Sequence, residues 1–416
     1  MRKPQNPEVM YLDFNGFFAS TSQLQHPHLR GKPVGIIPHE GNGNTCIIAC
    51  SKEAKAFGVQ NVMPLPIVRR LCPDIILWPQ EVDLYRRAHN YLMAEVETVV
   101  PIDAVKSIDE LCSVISDTDR ANPAALGREI KRRLLKEVGP WITCSIGFAP
   151  NRLLAKIACK DGGRDGNNVW HPDHVPEFLN HILLKDIPGI GPGTLQRLYK
   201  AKIGTVECLR TAAPKHLRQI WGNVAGERMW YAINGYDIKA QPTSRSRYGH
   251  SRVLPPVFRS LEACRHITRI LATKAARRMR RDKWSSSKLY LGLAGYFGGY
   301  WVRAHHMPAI CDDMGVLDTL ERLWARAMRE LPPGIVLLRA DVVLDELTLT
   351  AQRQLDFLAD DELTRQRQEA ITAALDALNK RYGSTVVTVG PWSNPAADRL
   401  GAKISFTRIP RREDAW

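Results

Sequence analysis

Three carboxylates stand in two apolar segments that the sequence predicts to be strands. Asp13 lies within residues 9–14, and the adjacent pair Asp109 and Glu110 lies within residues 105–111. A buried ionised acid is costly unless a cation or a donor compensates it, and such oxygen ligands suit divalent cations. Successive strand side chains face opposite ways, so Asp109 and Glu110 can share a site only at a hairpin tip or a bulge. The pattern predicts a two-metal phosphoryl-transfer site.

The elements that must position these acids alternate between strand and helix patterns up to residue 170. This alternation is typical of an α/β or α+β catalytic domain. Strands are predicted at 9–14, 34–37, 46–50 and 142–147, and helices between the first two strands and at 84–99, 127–138 and 151–158.

Length and charge bound the class of protein. A chain of 416 residues with 44% apolar residues suits two to four globular domains. The net charge of +15 favours a polyanionic partner such as nucleic acid, although a merely soluble basic protein has the same composition. No apolar run could span a membrane and the N-terminus is no signal peptide, so we expect a cytoplasmic protein without a membrane partner. The nine scattered cysteines indicate reduced thiols rather than zinc ligands or disulfides.

Two lysines mark a short helix after the predicted strand 46–50. Ser51 can cap this helix and Gly58 can end it. Lys52 and Lys55 then share one helix face near its positive end, which would suit a triphosphate. An ordinary solvated lysine pair is the alternative interpretation of this segment.

A glycine-rich turn at residues 186–195 resembles a helix-hairpin-helix. The backbone N–H groups around Gly189, Gly191 and Gly193 would bind phosphates of duplex DNA without reading sequence. A purely structural turn between helices is the alternative. Residues 237–252 are polar and carry no periodic apolar face, so they are predicted to be a linker.

A basic helix opens the C-terminal region. Leu261, Ile267, Leu271 and Met279 mark its apolar face, and arginines crowd the same segment. We favour a grip on the DNA backbone over a solvated face or a membrane-surface helix. The arginines predicted to bind DNA are Arg277, Arg278, Arg280 and Arg281. Strand patterns at 288–294, 299–304 and 336–349, and a helix at about 361–380 marked by Leu363, Ile371, Leu375 and Leu378, complete an α+β domain.

Together these motifs resemble the Y-family translesion DNA polymerases, of the UmuC/DinB type. The spacing is collinear across roughly the first 210 residues, and the resemblance is looser beyond residue 240. Residues 375–383 look like the UmuC-type C-terminal region. The matching segments are residues 11–20, 30–34, 53–59, 107–110, 145–147, 154–158 and 188–191. Lys52 departs from the family, since many members have a tyrosine there, and Ser22 replaces a common glutamate.

The resemblance implies a right-hand polymerase with an α+β multidomain fold. Palm and fingers would occupy residues 1–170, with the fingers at about 22–80. A small helix-hairpin-helix thumb would occupy 171–236. The linker at 237–252 would then tether a little-finger-like DNA-binding domain and C-terminal tail at 253–416.

The resemblance also implies roles for individual residues in template-directed, error-prone translesion synthesis. Asp13, Asp109, Glu110 and the Phe14 backbone carbonyl would hold two Mg²⁺, with Mn²⁺ as the alternative ion. Phe18 occupies the steric-gate position that excludes a ribose 2′-hydroxyl. The remaining contacts to the incoming nucleotide would come from Phe17, Lys52, Lys55 and Lys156. Core packing is the alternative role for the two phenylalanines.

The implied partners are primer-template DNA, a dNTP, the β sliding clamp and accessory mutagenesis proteins. Residues 354–358 resemble a short clamp-binding peptide, with Gln354, Leu355, Phe357 and Leu358 as its contacts; plain amphipathic structure is the alternative. A catalytically silent accessory subunit that binds DNA and the clamp is the main rival function, but such proteins typically lose the carboxylates. A basic α/β nuclease is a third possibility, which lacks a compelling water-activating group here.

Overall fold

A computed structural model describes residues 1–38, 46–239, 245–353 and 362–390. Contacts divide the chain into two compact units, whose described parts are residues 1–239 and 245–390. No helix in these described ranges is long and apolar enough to cross a membrane.

Unit 1 contains eight strands and twelve helices among its described residues. The strands are β1 (Val9–Phe14), β2 (Val34–Ile37), β3 (Ala49–Cys50), β4 (Ile76–Pro79), β5 (Ala104–Val105), β6 (Glu110–Val114), β7 (Cys144–Ala149) and β8 (Asn167–Val169). The helices are α1 (Phe17–Gln25), α2 (Lys52–Ala56), α3 (Leu65–Leu71), α4 (Val82–Glu97), α5 (Asp117–Arg120), α6 (Pro123–Glu137), α7 (Arg152–Asp161), α8 (Val175–Leu179), α9 (Pro192–Lys200), α10 (Val206–Thr211), α11 (Pro214–Trp221) and α12 (Val224–Ile233).

A five-stranded sheet in the order β5-β6-β1-β7-β8 forms the centre of unit 1. Strand β1 lies antiparallel between β6 and β7, and side chains alternate between the two faces of the sheet. Met10, Leu12 and Phe14 are buried in a core that includes residues of α1, α4 and α6. Tyr11 belongs to a second core, built with residues of α7 and of the helices that follow it. Helices therefore cover both faces of the sheet, and the sheet fixes which side chains of β1 and β6 meet.

A second sheet of three strands, in the order β3-β2-β4, carries α2 and α3. The strand predicted at 46–50 is shorter than expected, because only Ala49 and Cys50 pair with β2, while Cys46 forms an isolated bridge to Pro64. Ser51 caps α2, accepting a hydrogen bond from the Ala54 N–H at 3.3 Å, as the sequence predicts. Gly58 follows with a φ of +82°, a left-handed conformation that favours glycine after a helix end.

Helices α8 to α12 pack beside α7 in one continuous apolar cluster. Gly189 has a φ of +96°, so the turn before α9 needs a residue without a Cβ. The buried side chains of Ile187, Ile190 and Leu198 anchor this turn. Its backbone N–H groups stand before α9, the arrangement that the predicted phosphate contacts would use.

Unit 2 holds one sheet in the order β11-β10-β12-β9. Its elements are β9 (Tyr248–Val253), α13 (Leu261–Arg281), β10 (Trp284–Gly295), β11 (Tyr300–Ile310), α14 (Asp313–Glu330), β12 (Leu337–Leu349) and α15 (Glu362–Tyr382). The core lies between the sheet and the helix pair α13 and α14. The prediction of a linker up to residue 252 was wrong at its end, because residues 248–252 form an edge strand paired with β12.

The DNA contacts predicted for the arginines of α13 stay a prediction, and the structure pairs each of the four within unit 2. The helix is buried on several sides, so its arginines have partners inside unit 2. Arg280 bonds to Asp313 at 2.7 Å and to Asp376 at 2.8 Å, and Arg277 also pairs with Asp376. Arg278 donates to the Gly249 carbonyl at 2.6 Å, and Arg281 lies 3.6 Å from Asp282. The number of arginines did not reveal these pairings, because a sequence does not show which side of a helix the following elements cover.

Candidate active site

The strand register brings the three predicted acids to one edge of the central sheet. Asp13 lies directly opposite Glu110 in the antiparallel pair of β1 and β6. The Phe14 N–H donates to the Asp109 carbonyl at 2.8 Å, which ties the end of β1 to the neighbouring acid. Directly opposed residues of an antiparallel pair project from the same face of a sheet. Two strands about a hundred residues apart in sequence therefore contribute to one acidic cluster.

Asp109 and Glu110 can share this edge because they stand where a hairpin turns. Strands β5 and β6 pair antiparallel, and the Lys106 and Ser107 N–H groups both donate to the Glu110 carbonyl, at 2.8 and 3.2 Å. The Ser107 hydroxyl donates to the Asp109 carboxylate at 2.5 Å. The hairpin tip that the adjacent carboxylates require is thus present.

Burial and like charge perturb these carboxylates. Desolvation, followed by repulsion from Asp109 and Glu110, raises the pKa of Asp13 to about 7. Burial also raises the pKa of Asp109, although the Ser107 hydrogen bond opposes this. The negative charge of these buried carboxylates is therefore not fully compensated. Hard divalent cations bind oxygen ligands and would compensate it, so the donor set fits Mg²⁺.

Lys156 supplies part of that charge. Its ammonium donates to the two Glu110 carboxylate oxygens at 2.7 and 2.9 Å and to the Tyr11 hydroxyl at 3.1 Å. The Tyr11 hydroxyl donates in turn to Glu110 at 2.9 Å. Within the described residues, no three His, Cys, Asp or Glu side chains are already placed so that they could hold a metal ion together. Glu110 would have to exchange Lys156 for a metal ion before all three acids could coordinate together.

His89 supports the acidic hairpin from behind. This residue of α4 is buried, and its Nδ1 lies 2.7 Å from the Ile108 carbonyl, one residue before Asp109. The carbonyl must accept, so Nδ1 carries the hydrogen. Burial lowers the pKa of His89, which keeps the imidazole neutral.

The His89 contact predicts a pH-dependent stability. Below the ordinary histidine pKa of 6.5 the unfolded chain takes up a proton more readily than the folded one, so the free energy of unfolding should fall as pH falls. His89→Leu should remove this contribution and cost about 1–3 kcal/mol at neutral pH, by leaving the Ile108 carbonyl unpaired. Urea unfolding of both proteins from pH 5 to 8 measures the effect. An unchanged pH slope in His89→Leu would contradict the assignment, and His171→Leu, at a half-exposed histidine, is the control.

Asn15 connects the acidic edge to the loop after α7. Its amide donates to Ser145 Oγ at 2.8 Å, and its carbonyl oxygen accepts from the Asp165 N–H at 2.9 Å. The Ser145 hydroxyl donates to the Gly163 carbonyl at 2.7 Å. The loop at 162–166 is therefore held against the end of β1, beside Asp13.

Phe18 lies at the start of α1, directly after the β1 edge, in an aromatic cluster. Its ring meets that of Tyr85 edge-on, with ring centres 4.8 Å apart, and Phe17 packs against both rings. The Tyr85 hydroxyl lies 3.0 Å from Ser22 Oγ, and both side chains are buried. The small Ser22 side chain thus accommodates the Tyr85 hydroxyl and anchors the Tyr85 ring.

The two lysines of α2 have different surroundings. The Lys52 ammonium lies 5.5 Å from the ring centre of Trp141, and the Arg30 guanidinium lies 5.7 Å from the same ring. Lys55 instead lines an open cleft with residues 58–61. A cation over an indole face is held by the ring quadrupole. The Trp141 ring therefore helps to hold the Lys52 ammonium in place.

Sequence reasoning missed several of these residues. Tyr11 and Ser107 could have been found, since each stands two positions before a predicted acid. His89, Tyr85 and Trp141 could not be found from the sequence, because each lies far along the chain from the residue it contacts and meets that residue only after folding. The predicted clamp residues Gln354, Leu355, Phe357 and Leu358 lie outside the described residues.

Residues 12–160 match the impB/mucB/samB family, and residues 245–357 match the C-terminal domain of the same family. DNA polymerase IV of Neisseria meningitidis serogroup B is 31% identical over 242 residues, covering 58% of this chain and 74% of the relative. DNA polymerase IV of Oceanobacillus iheyensis is 27% identical over 406 residues, covering 96% and 95% of the two chains.

Among solved structures, a Y-family DNA polymerase chimera of Dbh and Dpo4 superimposes with a TM-score of 0.68 at 22% identity, covering 82% of this chain and 99% of that one. The two family matches and the relative from Neisseria meningitidis define the class of protein. The chain belongs to the impB/mucB/samB family of Y-family DNA polymerases. The sequence-based predictions of family and of fold class are thereby confirmed.

Proposed function

We propose that the chain is a template-directed DNA polymerase that carries out error-prone translesion synthesis by two-metal nucleotidyl transfer. The observation that carries the proposal is the pairing of Asp13 with Glu110 beside Asp109 at one buried sheet edge. A catalytically silent accessory subunit does not need three acids at a site where burial, followed by repulsion between them, raises the pKa of Asp13 to about 7.

The proposed site assigns a task to each group of residues. Asp13, Asp109, Glu110 and the Phe14 carbonyl, at the last residue of β1, would hold Mg²⁺ or Mn²⁺. When bound, the metal pair activates the primer 3′-hydroxyl and neutralises charge on the triphosphate. Lys52, Lys55 and Lys156 would hold the phosphates of the dNTP.

Further contacts belong to the same proposal. The aromatic cluster of Phe17, Phe18 and Tyr85 would place the Phe18 ring against the sugar. The N–H groups near Gly189, Gly191 and Gly193 would bind the backbone of primer-template DNA. As domains, we propose palm and fingers over 1–170 and a thumb over 171–236, followed by the little-finger-like unit.

Primer extension with the purified full-length protein tests the function. We expect primers to lengthen in the presence of dNTPs and Mg²⁺, and to be copied past a damaged template base. DNA binding without extension would favour the accessory subunit. Shortening of the primer in the absence of dNTPs would favour the nuclease.

Lys156 should show a double effect that a merely structural residue would not. Lys156→Met removes a phosphate contact, so the KM for dNTP should rise about tenfold or more, as expected for a charge-assisted hydrogen bond. The same change frees Glu110 of its resident cation, so the Mg²⁺ concentration for half-maximal rate should fall. Steady-state kinetics in dNTP and in metal measure both effects, with Lys136→Met, at an exposed lysine of α6, as the control. A rise in both constants would contradict this role.

The clamp peptide is proposed on sequence alone. Deleting residues 354–358 should abolish stimulation of synthesis by the β sliding clamp and leave unstimulated synthesis unchanged. The measurement compares primer extension with and without clamp for both proteins. Stimulation that survives the deletion would place the clamp contact elsewhere in the chain.

A further inference from the structure

A surface helix usually buries apolar residues and exposes polar ones. Helix α15 has the reverse arrangement. The residues buried against unit 2 are polar and seven positions apart: Arg365, Thr372 and Asn379. Leu363 is 83% exposed and Tyr382 is 62% exposed. At 100° per residue, positions 363, 371, 374, 378 and 382 fall within one stripe about 100° wide, centred about 130° from the buried residues. Of the apolar residues that mark this helix in the sequence, Leu363, Ile371 and Leu378 are exposed and Leu375 is half-buried.

Specific polar contacts fix this orientation. Asp376 bonds to Arg277 and Arg280 of α13. The Thr372 hydroxyl accepts from the Asp313 N–H at 3.3 Å. The Asn379 side chain accepts from the Val386 N–H and donates to the Val387 carbonyl, both at 2.8 Å. Rotating the helix to bury its apolar stripe would break these bonds and leave buried charges unpaired, which is costly.

The same contacts determine the charge of the outer surface. All three acids of α15 are directed into unit 2: Asp376 as described, Glu369 to Arg353, and Glu362 to Arg353 and Arg365. The exposed charged residues of the helix are consequently all basic, namely Arg367, Lys380 and Arg381. At the same 100° per residue, Arg367 and Arg381 fall within the apolar stripe and Lys380 lies outside it. The outer face of α15 therefore combines apolar and cationic side chains.

We propose that this outer face docks an amphipathic helix of a partner protein whose apolar stripe is accompanied by carboxylates. An apolar stripe at helical spacing is the pattern by which helices bind partner helices and grooves, and the arginines on the same face select acidic complements. Phosphate-backbone binding would make no use of the exposed Leu363, Ile371 and Leu378. The docking face is independent of the proposed catalysis, since the matched C-terminal family region ends at residue 357, before α15 begins.

A second copy of this chain is a poorer occupant. Antiparallel self-pairing centred on Ala374 places Ile371 opposite Ala377 of the second copy, next to Leu378. It places Arg367 against Arg381 of the other chain at both ends. Two pairs of like charges would then face each other, which disfavours the pairing.

Two synthetic helical peptides with the same leucine stripe test the proposal, one flanked by glutamates and the other by lysines. Fluorescence anisotropy with the full-length protein should show the acidic peptide binding at least tenfold more tightly. Ile371→Glu and Leu378→Glu should each weaken its binding at least tenfold. Ala373→Glu adds the same charge to an exposed position outside the stripe and should change the affinity less than twofold.

A double charge reversal, Arg367→Glu with Arg381→Glu, should move the preference to the basic peptide. Because these side chains are exposed, thermal unfolding midpoints should stay at the wild-type value, so lost binding would not reflect lost folding. Equal binding of the two peptides, or no binding of either, would overturn the proposal. Duplex DNA affinity, or a concentration-dependent dimer in sedimentation, that Ile371→Glu removes would assign the face to DNA or to a second copy instead.

Discussion

Asp13→Asn is expected to lower the rate of nucleotide incorporation by about a thousandfold or more, because one buried metal ligand loses its charge. A loss of about 4 kcal/mol of transition-state stabilisation corresponds to that factor. The substitution keeps the size of the side chain, and Asp13 lies opposite Glu110 at the sheet edge. Single-turnover primer extension at saturating dNTP measures the effect directly.

The same variant should be at least as stable as the wild type when no metal is present. Burial and repulsion from Asp109 and Glu110 raise the pKa of Asp13, so the ionised form is costly in the folded state. Wild-type stability without metal should therefore decline as pH rises towards about 7, and Asp13→Asn should lose this decline. Thermal unfolding in a chelator tests this, with Asp83→Asn, an exposed acid of α4, as the control. Undiminished extension by Asp13→Asn would remove the metal site from the proposal.

Phe18→Ala should lower the selectivity for dNTP over rNTP by about a hundredfold. A ring that clashes with the ribose 2′-hydroxyl by about 3 kcal/mol supplies that factor, and alanine removes the clash. The ring cannot simply move aside, because Tyr85 packs edge-on against it and is itself anchored by Ser22. The ratio of kcat/KM for the two nucleotides at one template base is the measurement.

Phe17 offers a matched comparison for the gate. It is buried beside Phe18 in the same cluster, so Phe17→Leu and Phe18→Leu make the same change one residue apart. Only Phe18→Leu should admit ribonucleotides, whereas Phe17→Leu should reduce stability alone. Equal selectivity for dNTP over rNTP in both variants would indicate that Phe18 only packs in the core.

Local signals accounted for much of the central sheet. The apolar runs around Asp13 and at 142–147 predicted β1 and β7, and Ser51 with Gly58 predicted the limits of α2. The adjacent pair Asp109 and Glu110 required a hairpin tip or a bulge, and the pairing of β5 with β6 provides the hairpin tip. These predictions succeeded because strand periodicity, caps and turns depend on residues close together in sequence.

The arginine-rich helix α13 and the apolar positions of α15 show what local sequence patterns could not predict. By itself the sequence determined the acidic residue types, the elements that carry them, the basic charge and the family resemblance. Only the tertiary structure decided that Arg280 faces Asp313 and Asp376, that Lys156 rests on Glu110, and that Leu363 and Ile371 face outwards. The physical reason is that burial and charge pairing depend on neighbours far away in the chain, and periodicity shows that a helix has two faces without showing which one the fold covers.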